Sequence, residues 1–178
     1  MTLLEVLVAT AVTVVALTMV TQIVVAAAGQ RTVSRDNALA SNGARMAVER
    51  MRNVPFDEVY ALYNANPDDD PLGPGTAPGS LFAIEGLVPV EGQVAVGRIE
   101  LPTLAIQEPD GSVRIELRED AVDPHLDLPR DLNGDSIVDD VDHSGDYHLL
   151  PFRITVEWES SRGPRRMDLY TMMTEMRK

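Results

Sequence analysis

Twelve consecutive residues could hold a hard cation: Asp131-Leu132-Asn133-Gly134-Asp135-Ser136-Ile137-Val138-Asp139-Asp140-Val141-Asp142. Counted from Asp131, side-chain oxygens stand at positions 1, 3, 5, 9 and 12, and Ile137 at position 7 offers its carbonyl. Calcium takes six to eight oxygens, and this alternation lets one short loop wrap one ion. The candidate calcium ligands are therefore Asp131, Asn133, Asp135, Ile137, Asp139 and Asp142, with Val138 expected to pack the loop. Ser136 stands where a glycine would make the sharp turn, and Asp142 where a glutamate would bind through both oxygens. Both departures weaken the site, to a Kd of about 10⁻⁴–10⁻³ M or somewhat tighter. The surrounding stretch holds Glu119, Asp120, Asp123, Asp127, Asp140 and Asp146 as well, against Arg130 alone. A solvated acidic loop is the plain alternative; mutual repulsion of so many carboxylates favours an ion. The three histidines, His125, His143 and His148, lack the spacing of a transition-metal or catalytic site and read as solvated loop residues. Gly73–Gly79 (GPGTAPG) has no preceding strand and no following Gly-Lys-Ser/Thr, so it is no phosphate loop. With no nucleophile or acid–base constellation, the chain is not expected to be an enzyme.

The other residue at odds with its surroundings is Glu5. It stands at the edge of Val6–Ala28, an uncharged run interrupted only by threonines and Gln22. As a helix this run is roughly 35 Å long, enough to cross a hydrocarbon core of about 30 Å. A carboxylate at the edge of such a segment is costly unless paired. The amine of Met1 is the positive group within reach, and pairing between neighbouring chains would fix their register, as one buried polar group does in coiled coils. A cleavable secretory signal does not fit, because no basic region precedes the run and the run is too long.

Met1-Thr2-Leu3-Leu4-Glu5-Val6-Leu7-Val8-Ala9 resembles the mature N-terminus of type IV pilins and type II secretion pseudopilins, its spelling most like minor pseudopilin I and minor pilin V. The resemblance implies cleavage of a basic leader by a prepilin peptidase, N-methylation of Met1 and an assembly role for Glu5. It also implies insertion in the inner membrane, an assembly platform there, and polymerisation with identical or homologous subunits into an extracellular or periplasmic filament. The glycine and proline that many pilins carry in the first 22 residues are missing. The acidic loop is similar to the EF-hand-like calcium loops of dockerins and related extracellular modules, and calcium sites in the C-terminal regions of pseudopilins fit the same picture. The competing function is a single-pass, membrane-anchored periplasmic module that binds a partner in a calcium-dependent way.

Around these residues the sequence lays out an α+β chain: a long N-terminal helix on a small antiparallel sheet, as in pilins. The helix is expected from Thr2 to Asn53. Residues 1–28 form its apolar membrane or filament-core part and residues 29–53 an amphipathic continuation, ended by Pro55. Val33, Ala40, Ala44, Ala47, Val48 and Met51 make one face of that continuation. Arg31, Arg35, Asn42, Arg45, Glu49 and Arg52 make the other, with Arg45 and Glu49 spaced as an i,i+4 pair. Residues 54–178 read as a loop-rich β domain. A loop over 64–80 leads to strands over Leu81–Ile84, Gln93–Leu101, Val113–Arg118, Phe152–Glu159 and Arg166–Met176. The last two join in a hairpin through Ser161–Pro164, with Val156, Trp158 and Leu169 facing the helix. Fifteen basic against 28 acidic residues give a net charge of -13, which repels phosphate backbones and excludes nucleic acid as an expected partner. The absence of cysteine excludes disulfides and thiolate metal sites.

Overall fold

A computed structural model describes residues 2–175. Met1, with its expected processing and methylation, and the end of the last expected strand at Met176 lie outside the described residues. The architecture is α+β and pilin-like: one long helix, a four-stranded antiparallel sheet and a separate two-stranded hairpin.

Helix α1 runs from Leu3 to Arg52, with Thr2 and Asn53 as caps. All residues from 2 to 28 are exposed; burial begins at Gly29 and Val33 and continues through Ala40, Ala44, Ala47, Val48 and Met51. The alanines let the helix lie close to the sheet, and Gly43 lets it lie closer still. A Cβ on Gly43 would collide with Ile84 Cδ1 and sit 2.6 Å from its Cγ1. Gly43→Ala gains about 1 kcal/mol of helix propensity but overpacks this contact by more, about 1–3 kcal/mol. The variant is expected to unfold at lower denaturant. A Gly43→Ala/Ile84→Ala double variant should show a smaller loss than the two single losses added, and strict additivity would remove Ile84 as the cause. Along the exposed face, Glu49 pairs with Arg52 at 3.3 Å rather than with Arg45, so the expected i,i+4 pair gives way to an i,i+3 pair.

Beyond Asn53 the chain turns through Pro55 into a 3-10 turn (Phe56–Glu58) and a short helix α2 (Val59–Tyr63), neither expected from sequence. Tyr147 pins this corner: its hydroxyl donates to the Phe56 carbonyl at 2.6 Å and accepts from the Tyr60 N–H at 3.1 Å. Residues 64–80 form turns without regular structure, as the proline and glycine content predicts.

The sheet strands are β1 (Leu81–Phe82), β2 (Gly97–Glu100), β5 (Leu149–Ser160) and β6 (Gly163–Thr174), in the order β1-β2-β5-β6. The expected hairpin is present, with Ser160 opposite Gly163 and Trp158 opposite Arg165. Leu150, Phe152, Ile154, Val156 and Trp158 alternate onto one buried face, and they share a core with the helix alanines. Leu169, opposite Ile154, packs at the edge of the same core. The second hairpin pairs β3 (Thr103–Gln107), which is not among the strands expected from sequence, with β4 (Val113–Leu117).

Candidate functional sites

The N-terminal site is the bare half of α1. Glu5 is its only acid, and the Glu5 Oε2 accepts the Thr2 N–H at 3.3 Å, capping the first turn of its own helix. The threonine hydroxyls are turned inward: Thr10, Thr13, Thr18 and Thr21 donate to the carbonyls of Leu7, Ala9, Val15 and Leu17 at 2.8–2.9 Å. Each hydroxyl is thereby satisfied inside the helix, which lowers its desolvation penalty in hydrocarbon or a helix bundle. Apart from Gln22, the surface left outward is Leu, Val, Ile, Met and Ala, on a helix long and apolar enough to cross a membrane.

The acidic loop is organised by a residue outside it. Glu119 is fully buried, and its carboxylate reaches across to the loop backbone. Its Oε1 accepts the N–H groups of Leu132 at 2.6 Å and Asn133 at 3.2 Å, and its Oε2 accepts that of Asp139 at 3.3 Å. Beside it lies His143, only 3% exposed, so this histidine is not the solvated loop residue expected. Its Nε2 sits 3.0 Å from Asp139 Oδ1 and 3.7 Å from Glu119 Oε1, and its Nδ1 sits 3.0 Å from Asp146 Oδ1. Burial disfavours a charged ring, but hydrogen bonds from the ring to the carboxylates of Asp139 and Asp146, with Glu119 behind them, outweigh it and hold the pKa above the ordinary histidine value. Carboxylates at both ring nitrogens suit an imidazolium, since each nitrogen must then donate. Of the other histidines, His125 stacks on Tyr170 and His148 pairs with Glu175 at 2.7 Å.

The structure divides the expected calcium ligands. Among the described residues, the one grouping of three ligating side chains is Glu119, Asp139 and His143, with ligand atoms within 4.8 Å of one another. Of the proposed loop ligands only Asp139 belongs to it. Asp142 turns the other way: its Oδ1 accepts the Leu117 N–H at 3.0 Å and the Ser144 N–H at 3.1 Å, tying the loop to β4. Asp131, Asn133 and Asp135 curl over the loop's own backbone. Asp131 accepts from Gly134 and Ser136, Asn133 from Asp135, and Asp135 from Ile137. The Gly134 N–H leads in lowering the Asp131 pKa, and the Val141 N–H in lowering that of Asp139, so both remain ionised well into acid. Asp131, Asp135 and Asp142 form no ion pair among the described residues, so this part of the loop is anionic without an internal cation. Asp131, Asn133 and Asp135 thus accept hydrogen bonds from their own loop, and Asp142 is committed to Leu117 and Ser144.

Two further details depart from expectation. Val138 is 47% exposed and does not pack the loop; the fully buried Leu132 does. Ser136 has φ +72, the left-handed conformation that glycine takes without strain. Next to the loop, Arg118 holds Asp120 at 2.7 Å and Glu116 at 3.2 Å, adding a fixed positive charge beside the acidic stretch.

Comparisons with protein-family models, with curated proteins and with solved structures give no match to this chain.

Proposed function

We propose that the chain is a structural subunit of a type IV pilus-like or type II secretion pseudopilus filament. In this reading it is held in the inner membrane by the exposed half of α1 before assembly and polymerises through that same helix. One observation carries the proposal: from Thr2 to Ala28 every residue of the helix is exposed, the segment is apolar, four of its threonine hydroxyls bond within the helix, and one acid stands near its start. A surface of that size needs lipid or sister helices to cover it. Identical or homologous subunits would cover it in the filament. A prepilin peptidase and an inner-membrane platform would act before then, with Met1 as the processed and N-methylated residue. The finished filament would stand in the periplasm or outside the cell.

The test follows the chain through both states. Expressed with an assembly machinery, it should resist alkaline extraction from membranes and also appear in filaments sheared from the cell. Recovery only as an alkali-soluble monomer would sink the proposal. Stable membrane attachment with no filaments under any condition would favour the anchored calcium-dependent binding module instead.

Calcium binding by the loop is proposed alongside, on the strength of the unpaired Asp131 and Asp135. The full chain in detergent should melt higher in millimolar calcium than in chelator, by about 2.7 kcal/mol at a hundredfold excess over Kd. Asp131→Ala or Asp135→Ala should remove the difference. Asp123→Ala breaks a cap on His125, so it should lower stability in both buffers and keep the calcium increment. Ser136→Gly relieves the left-handed serine and should tighten binding. Superimposable melts in calcium and chelator would show that Asp131 and Asp135 are simply solvated.

A further inference from the structure

The turn between β5 and β6, at the end of the hairpin away from the acidic loop, is rich in arginine. Where α1 leaves the domain, the tight turn between β5 and β6 folds over it, and Arg162 Nη2 would lie 2.9 Å from a Cβ placed on Gly29. Beside this contact an open cleft of about 510 Å³ is lined by Asn37, Trp158, Arg162, Pro164, Arg165, Arg166 and Met167. In a chain of net charge -13, this lining holds three arginines and no carboxylate. Arg166 is committed to Asp168 at 2.9 Å and Glu157 at 3.1 Å. Arg162 and Arg165 form no ion pair among the described residues, and neither do Arg31 and Arg35 on the adjoining stretch of helix. The nearby acids are turned elsewhere: Asp36 is buried and accepts from the Ser160 hydroxyl, and Glu159 does not line the cleft. A second feature is independent of charge. Trp158 is 2% exposed, and its indole N–H is the one buried side-chain donor left without an acceptor among the described residues. Two guanidinium groups without carboxylate partners, at a cleft whose wall includes Trp158, suit an oxyanion.

The position of the cleft selects the oxyanion. Gly29 directly follows the apolar run, whose roughly 35 Å would fill the hydrocarbon core and bring Gly29 to the headgroup layer. We propose that the cleft between α1 and the β5–β6 turn binds the phosphate of an anionic lipid headgroup, with Arg162 and Arg165 as its cationic contacts. This site deepens the membrane-inserted reading above and rests on it. Before assembly, it would seat the domain on the membrane surface at a fixed tilt.

Trp158 is the only tryptophan, so its emission reports on the cleft directly. The full chain is reconstituted in phosphatidylcholine vesicles carrying increasing phosphatidylglycerol. Its emission should change saturably, and Arg162→Gln/Arg165→Gln should require about 30-fold more anionic lipid, a factor of about five for each surface arginine. Arg162→Lys/Arg165→Lys, which keeps both charges, should retain most of the response. A flat titration, or an unchanged midpoint in the glutamine variant, would overturn the site. Inorganic phosphate in neutral vesicles separates the sources: a response as strong as that to phosphatidylglycerol would assign the cleft to free phosphate and reject the lipid. A response that tracks protein concentration would assign it to carboxylates of a second copy and likewise reject the lipid. Flotation with neutral vesicles keeps the two proposals apart. A chain that floats but ignores phosphatidylglycerol loses this site alone, whereas one that never floats loses membrane insertion and the site together.

Discussion

Glu5→Gln is expected to abolish filaments while leaving the folded domain untouched. In the isolated chain Glu5 accepts the Thr2 N–H, so some of its worth is local capping. Glutamine serves at this third helical position as glutamate does. The substitution therefore removes the charge and keeps the cap. If Glu5 offsets the Met1 amine of the same or a neighbouring subunit, losing its charge leaves an ammonium uncompensated in an apolar bundle, a penalty of several kcal/mol at every subunit. Repeated along a polymer, that penalty should reduce filament yield below detection by negative-stain microscopy. The melting of the domain should stay within about 0.5 kcal/mol of the parent, because Glu5 is remote from the core. Ample filaments from Glu5→Gln with none from Glu5→Ala would trace the effect to capping. Ample filaments from both would refute any assembly role.

The second large effect is expected far from the membrane. Glu119→Ala withdraws a fully buried carboxylate from the N–H groups of Leu132, Asn133 and Asp139 and leaves His143 with fewer counter-charges. Breaking a buried charge cluster on one side costs about 3–5 kcal/mol. Denaturant unfolding of the full chain in detergent should show a loss of that size, a large share of the stability of any single domain. Glu119→Gln keeps the shape but offers one acceptor oxygen for three donors, and should fall between parent and alanine variant. A loss below about 1 kcal/mol for Glu119→Ala would mean that the loop holds its shape without this carboxylate.

These two sites were legible in the sequence to very different degrees. The bare helix announces itself, because burial in a helix repeats every few residues and a run with no polar face has nowhere to hide in a small domain. The same logic located the alanine stripe and the hairpin face of Val156 and Trp158, where alternation with period two persists over a long strand. The short elements escaped. β3 offers only Leu104 and Ile106 behind Pro102, and α2 is a single turn held by Tyr147 from a distant part of the chain. The Glu119–His143 partnership left no periodic trace at all, since both lie in irregular chain joined only by folding. Repulsion among the acids was legible, but the buried histidine that sits among them was not. Its burial depends on the loop turning back to β4, where the His143 N–H donates to the Leu117 carbonyl at 2.9 Å.

The inward-turned threonines bear on how an assembled filament would respond to force. Apart from Gln22, the rod from Val6 to Ala28 has no side-chain donor left for a neighbouring rod. Sliding one such rod along another exchanges one aliphatic contact for a similar one, so the barrier to sliding is low and nearly the same at every step. A bundle of these rods, tethered at Glu5 and again where the domains touch, would stretch under load by slippage and recover when released. Its stiffness would then reside in the two ends of the helix, and its extensibility in the smooth length between them.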